Sequence, residues 1–183
     1  MIKRFIGIML LMLAIKLSVA QDLWFTRNGN IKFHAGTSLE DIDATNNDVA
    51  SLFNPKTGEF AFTVLIKSFH FRRALMEEHF NTVYMESSTY PKATFSGTVN
   101  DISKLDITKD GSYPVEVSGD ITIHGVTKKI TIPGIIEVKS GKPQANAKFT
   151  VLVADYNIKV PGIVADKISK EVAIEVSCMF EKK

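Results

Sequence analysis

Beyond residue 20, apolar and polar side chains alternate with a period of two in six separate runs. Residues 59–67 set Phe60, Phe62, Val64 and Ile66 on one face and Glu59, Ala61, Thr63, Leu65 and Lys67 on the other. Residues 92–100 direct Ala93, Phe95, Gly97 and Val99 inward, and residues 113–124 do the same with Tyr113, Val115, Val117, Gly119, Ile121 and Ile123. Later runs add Ile130, Ile132, Gly134, Ile136 and Val138, then Ala147, Phe149, Val151 and Val153, then Val172, Ile174, Val176, Cys178 and Phe180. Such alternation marks strands with one buried and one wet face, the habit of antiparallel sheets.

Turn residues punctuate the runs. Asn28-Gly29 separates short apolar stretches at 23–26 and 31–34, and Asn54-Pro55-Lys56-Thr57-Gly58 precedes the Glu59 run. His124-Gly125-Val126-Thr127 and Ser140-Gly141-Lys142-Pro143 read as hairpin connections. The count is eight or nine strands, depending on whether Asn28-Gly29 is a turn. A set of that size closes into a barrel or stacks as a sandwich. No repeat, linker or low-complexity tract divides the chain, so residues 21–183 are expected to form one all-β domain.

One segment breaks the pattern. Residues 72–81 contain helix formers without Gly or Pro, and Leu75, Met76, His79, Phe80 and Val83 recur at helical spacing. This stripe is expected to be buried, with Tyr90-Pro91 returning the chain to extended structure. A lone short helix between strands of a barrel is placed to close one end.

The N-terminus has a different logic. Lys3 and Arg4 precede an apolar run over residues 5–15, and Ser18-Val19-Ala20 supplies small residues before Gln21. This is the layout of a secretory signal peptide over residues 1–20, and the apolar run is too short to serve as a stable membrane anchor. The expected location is therefore the periplasm or the exterior. Losing Lys3, Arg4 and Lys16 with the leader takes the formal charge from +2 to −1. A chain so balanced lacks the basic surface that nucleic acid requires. One cysteine excludes an intrachain disulfide framework.

Three ordered motifs then carry a family likeness: Ala74-Leu75-Met76-Glu77-Glu78-His79-Phe80, Tyr90-Pro91-Lys92-Ala93-Thr94-Phe95-Ser96-Gly97, and Gly119-Asp120-Ile121-Thr122-Ile123-His124-Gly125-Val126-Thr127-Lys128. With residues 149–157 they resemble the YceI-like family of exported bacterial lipid- or polyisoprenoid-binding proteins. The resemblance implies an eight-stranded antiparallel lipocalin-like barrel holding a long apolar ligand. The acidic, polar segment 37–48 departs from it and is expected as an exposed loop at the barrel mouth.

Candidate chemistry narrows quickly. Asp41 and Asp43 match the first positions of a calcium loop, but Asn46 and Leu52 stand where glycine and glutamate belong, so a solvated acidic loop is expected. The histidines His34, His70, His79 and His124 form no metal-ligand pair. His79 reads either as a hydrogen-bonded structural residue or as a head-group contact at the mouth; His124 at its hairpin reads as structural. No Gly-x-Ser-x-Gly elbow occurs, and Cys178 faces inward as a small hydrophobe, so no enzymatic activity is expected.

What remains is the interior. An eight-stranded barrel either fills with side chains or holds one ligand. Gly97, Gly119, Gly134, Ala145 and Ala147 either leave space or mark strand bends. The resemblance favours space. The expected ligand-binding residues are Phe60, Phe62, Phe95, Ile123 and Phe149 on the barrel wall, Leu75, Met76 and Phe80 as helix gatekeepers, and His79 as polar contact. The partner is an apolar small molecule such as an isoprenoid quinone, polyprenyl lipid or fatty-acid derivative; no cofactor or metal is expected. Pairing of two barrels into a homodimer is compatible with an exposed edge or mouth. The rival reading is a filled barrel acting as a stress-related interaction scaffold through its exposed loops.

Overall fold

Residues 23–183 are described in a computed structural model; the leader expected over residues 1–20 lies outside the described residues. Three long strands open the chain: β1 (Trp24–Gly36), β2 (Asp43–Asn54) and β3 (Glu59–Leu65). A two-residue strand β4 (His70–Phe71) then precedes the helical insertion. Five long strands follow, β5 (Lys92–Val99), β6 (Gly111–Ile123), β7 (Val126–Lys139), β8 (Lys142–Leu152) and β9 (Ile168–Met179), with a terminal β10 (Glu181–Lys182). The eight long strands pair antiparallel with their sequence neighbours, and β1 pairs with both β2 and β9, so the meander closes on itself. Closure satisfies the backbone donors and acceptors that open sheet edges would leave unpaired. No helix among the described residues is long and apolar enough to cross a membrane.

The later hairpins are as tight as their sequences require. His124 (φ 50°) with Gly125 (φ 75°), and Ser140 (φ 52°) with Gly141 (φ 72°), place two consecutive residues in the left-handed region. That is the two-residue geometry whose twist matches the flanking strands.

Asn28-Gly29, in contrast, is not a turn. β1 runs through it, and the register against β2 slips between Thr26 and Gly29 and again between Gly29 and Ile31, the mark of a β-bulge. A side chain at Gly29 would stand 2.5 Å from the Cys178 sulfur and 3.1 Å from Val49. The glycine thus answers to close packing against the neighbouring strands β2 and β9, and the long-strand count among the described residues is eight.

The acidic segment also differs from expectation. Residues 37–48 are not one loop: Thr37 and Glu40 form a tight bridge, and β2 begins at Asp43. Ala44 and Asn46 are buried within it. The Asn46 side chain donates to the Leu65 carbonyl (3.0 Å) and accepts from the Asp48 amide (2.8 Å). It thereby spans the point where β2 exchanges β3 for β4 as its partner. The inward side chains here are small or polar, so alternation carries no apolar signal.

The helix is present but displaced toward the C-terminus, its eleven residues covering 74–84. α1 (Ala74–His79) runs directly into a π-helical turn at Phe80–Tyr84. None of its residues is fully buried; Leu75 is 60% and Val83 45% exposed, against the expected apolar stripe. The wider turn, closed by the Met85 amide donating to the Phe80 carbonyl at 2.8 Å, advances the inward row by one residue. Tyr84 takes the inward place that α-helical spacing gave to Val83.

Candidate functional site

The barrel has one plugged end and one mouth. At the plugged end Phe53 lies flat on Phe60 (centroids 4.2 Å apart, planes 10° apart), and Phe180 leans on both. Trp24, Val99, Val138 and Cys178 complete this core, against which Ile102, Leu105 and Ile107 of the β5–β6 connection pack. The opposite end receives α1, its π-helical turn and the short helical turns at Val153–Tyr156 and Gly162–Val164. A second aromatic group anchors the helix there: Phe80 lies 5.5 Å from Phe33, 5.6 Å from Phe69 and 5.0 Å from Phe71.

Between the plug and the helix lies a cavity of about 380 Å³. That is within the size range of small-molecule sites. Its wall is predominantly aliphatic and aromatic, drawn from every long strand except β2. Of the expected binding residues, Phe60, Phe62, Phe95, Ile123 and Phe149 line it from the strands, and Met76, His79 and Phe80 from the helix. Leu75 does not: it sits on the outer side of α1 in solvent, because the π-helical turn brings the Met76–Phe80–Tyr84 edge to the barrel. Alternation missed Phe69 and Phe71, where β3 gives way to a helical turn. It also missed Ile158 and Val160, which follow β8 without regular structure, and Val164, which ends the short helical turn Gly162–Val164. The spacing Phe69-x-Phe71 and Ile158-x-Val160 is the signal that was available.

The small residues divide into two groups. Gly97 and Gly119 face each other across β5 and β6, and a side chain on either would run into the Phe95 ring, at 2.5 and 2.9 Å. The pair is therefore a seat for Phe95. Gly134, Ala145 and Ala147 instead line the cavity and leave its space free.

His124 is structural. Its Nδ1 lies 3.0 Å from the Tyr156 carbonyl, and its ring packs at 4.4 Å on Tyr90. This contact ties the β6–β7 hairpin to the segment after β8. His79 is exposed, and its side chain makes neither a hydrogen bond nor an ion pair with the described residues. It thus sits free on the mouth side of the cavity wall. His34, Asp41 and Asp43 gather at the β1–β2 hairpin with their ligand atoms within 4.8 Å of one another, but all three are exposed.

The charged groups of the wall are confined to the mouth. Glu40, from the β1–β2 hairpin, binds Arg73, which precedes α1, through Oε1, and Lys167, which precedes β9, through Oε2 at 3.4 Å. Partial burial pushes the Glu40 carboxyl up, but the hydrogen bonds and charges of Arg73 and then Lys167 outweigh it and hold it below the usual carboxylate range. The Thr37 hydroxyl donating to the Asp166 carbonyl at 2.9 Å ties the same two loops together. Burial also raises the phenols of Tyr84 and Tyr156, which stay neutral in the wall.

Cys178 lies outside this chemistry. Burial pushes its thiol up to about 12 from 9.0, partly offset by a backbone hydrogen bond at Asn30. Thiolate is the reactive form. At pH 8 the folded protein is expected to react with a thiol reagent about a thousandfold more slowly than an ordinary cysteine, from thiolate population alone. Labelling kinetics with and without urea check this; rapid labelling of the folded chain would contradict it.

Taken together, these features define a class: an up-and-down antiparallel barrel enclosing an apolar cavity, closed by aromatics at one end and rimmed by charge at the other. The chain belongs to the YceI-like domain family, whose model matches residues 25–180. A UPF0312 protein of Pseudomonas putida (strain W619) is 26% identical over 98 residues, covering 50% of this chain and 47% of that one. A UPF0312 protein of Pseudomonas fluorescens (strain SBW25) is 26% identical over 128 residues, covering 66% and 63%. The chain thus spans between about half and under two thirds of the length of these relatives. Among solved structures, a polyisoprenoid binding domain from Saccharophagus degradans superposes with TM-score 0.76 at 16% identity, covering 89% of this chain and 99% of that one. BcnA of Burkholderia cenocepacia gives 0.69 at 15% identity, covering 84% and 96%. At those identities the likeness establishes the fold.

Proposed function

We propose that this protein is a carrier that holds a long apolar molecule, an isoprenoid or another lipid tail, inside its barrel. The observation that carries the reading is the cavity of about 380 Å³, enclosed by aliphatic and aromatic side chains within an otherwise packed barrel. Each methylene transferred from water into such a wall contributes roughly 0.8 kcal/mol. A prenyl chain of several units therefore binds without specific hydrogen bonds. The Saccharophagus degradans domain that shares the fold is described as polyisoprenoid-binding, which supports the same ligand class here. The leader pattern over residues 1–20 supports an exported, periplasmic or secreted carrier. A binding role without catalysis accords with a wall whose charged groups are confined to one rim.

The filled-barrel scaffold requires an interior without space and an exposed 37–48 loop. The cavity and the strand beginning at Asp43 both weigh against it. The test is native mass spectrometry of the protein purified from its own compartment, with organic extraction of its contents. A co-purifying lipid of defined mass is expected. Protein that emerges empty and takes up neither farnesol nor palmitate would overturn the proposal.

A further inference from the structure

We propose that residues 153–167 form a lateral gate over an unzipped stretch of barrel wall between β7 and β8, and that the apolar ligand enters and leaves there rather than along the axis through the mouth. The inference rests on the carrier reading above and adds the route by which the cavity is loaded.

The ladder of the wall is interrupted at this place. β6 and β7 pair along their whole common length, from Ile123–Val126 to Gly111–Val138. Among the described residues the β7–β8 ladder instead ends at the Gly134–Ala147 pair. Pro133 is the first residue of β7 past the break, and it has no N–H with which to continue the ladder. Beyond the break, residues 126–133 of β7 keep their pairing with β6, and residues 148–152 of β8 keep theirs with β9. The freed edge of β8 is about 16 Å long at about 3.3 Å per residue. Both banks border the cavity, through Ile132 on one side and Phe149 and Val151 on the other.

The connection from β8 to β9 covers the break. Its Val153, Tyr156, Ile158, Val160 and Val164 line the cavity, and its first helical turn packs on β7, β8 and β9. Yet it joins neither ladder. Its backbone hydrogen bonds are local, the Val164 amide donating to the Pro161 carbonyl and the Lys167 amide to the Val164 carbonyl, each at 3.0 Å. Side chains supply the hold on the β6–β7 hairpin. His124 Nδ1 donates to the Tyr156 carbonyl at 3.0 Å, and Lys128 Nζ lies 3.0 Å from Asp155 Oδ1. One imidazole contact and one exposed ion pair yield far more readily than a strand ladder. The far end is anchored to the β1–β2 hairpin by the Thr37–Asp166 and Glu40–Lys167 contacts. Between the two ends Pro161-Gly162-Ile163 is exposed, and nothing lies within 4 Å of the place a Gly162 side chain would take, so the segment has room to lift. The axial route is more firmly closed. There Phe80 of the helical insertion is pinned among Phe33, Phe69 and Phe71, and Glu40 binds Arg73 beside it.

The test staples the gate shut. Lys128→Cys/Asp155→Cys is joined by a reducible methanethiosulfonate linker, the native Cys178 being buried. Exchange of cis-parinaric acid, a fluorescent polyene fatty acid, is followed by stopped flow. The staple is expected to slow association and release alike, by about tenfold or more, and to keep Kd within about twofold, because a closed gate bars the path without altering the bound state. Reductant should restore both rates, which also shows that the variant folds. The control staple, Asp120→Cys/Lys129→Cys, spans a pair within the intact β6–β7 ladder and should leave both rates unchanged. Lys128→Gln, which removes the ion pair, is expected to speed both rates about two- to fivefold. Unchanged rates in the stapled gate, or equal slowing by the control staple, overturn the gate while the carrier reading stands. Wild-type protein that takes up no cis-parinaric acid fails the carrier reading, and the gate with it.

Discussion

Phe53→Ala is expected to lower the free energy of unfolding by about 3–5 kcal/mol, the range for removing a fully buried aromatic side chain. Phe53 is 1% exposed at the end of β2, stacked on Phe60 at 4.2 Å and leaning on Phe180 at 5.8 Å. Its ring joins two regions distant in sequence, the β2–β3 hairpin and the segment after β9. Truncation leaves a hole among rigid rings pinned on three sides, and such a site collapses poorly, which places the loss toward the upper part of the range. Urea unfolding followed by circular dichroism measures it. A loss under about 1 kcal/mol would mean that the plug repacks, and that Phe60 and Phe180 hold the barrel end without their partner. The alternation alone would not single out this residue. Phe53 precedes a Pro- and Gly-containing turn, and its inward neighbour Ser51 is polar.

That point extends to the whole chain. Where every inward residue was large and apolar, as with Phe60, Phe62, Val64 and Ile66, period two located the strand and its buried face directly. The same rule missed the first half of β2, whose inward Ala44 and Asn46 are held by packing and hydrogen bonds. It also misread Asn28-Gly29, because a bulge and a turn draw on the same residues; only the approach of Cys178 and Val49 decides between them. In the helix the apolar residues were identified correctly, but a π-helical turn changed which of them face inward. Leu75 and Val83 went to solvent, and Tyr84 came to the wall. The ion pairs at the mouth were beyond reach of the sequence. Glu40, Arg73 and Lys167 come from three separate connections, and only barrel closure brings them together.

The glycine and alanine positions lead to the most direct test of the cavity itself. Phe95 is a poor place to introduce bulk, because its ring already lies against the Gly97–Gly119 pair, and a larger ring there would strain the wall along with the ligand site. Ala147 is the better position: it pairs with Gly134 on β7 and Val176 on β9, lines the cavity, and faces free space. Ala147→Trp is expected to fill that space with an indole. Displacing about four methylenes of a bound tail costs roughly 3 kcal/mol, or about a two-hundredfold rise in Kd for farnesol. Stability should change by less than about 1 kcal/mol, because the new ring enters a void and overpacking penalties arise in filled cores. Thr150→Trp, on the exposed face of the same strand, serves as the control and should leave binding unchanged. Undiminished farnesol affinity in folded Ala147→Trp would show that the tail does not pass between β7, β8 and β9. A loss of binding with stability intact would establish that ligand affinity resides in this space, independently of the charged mouth.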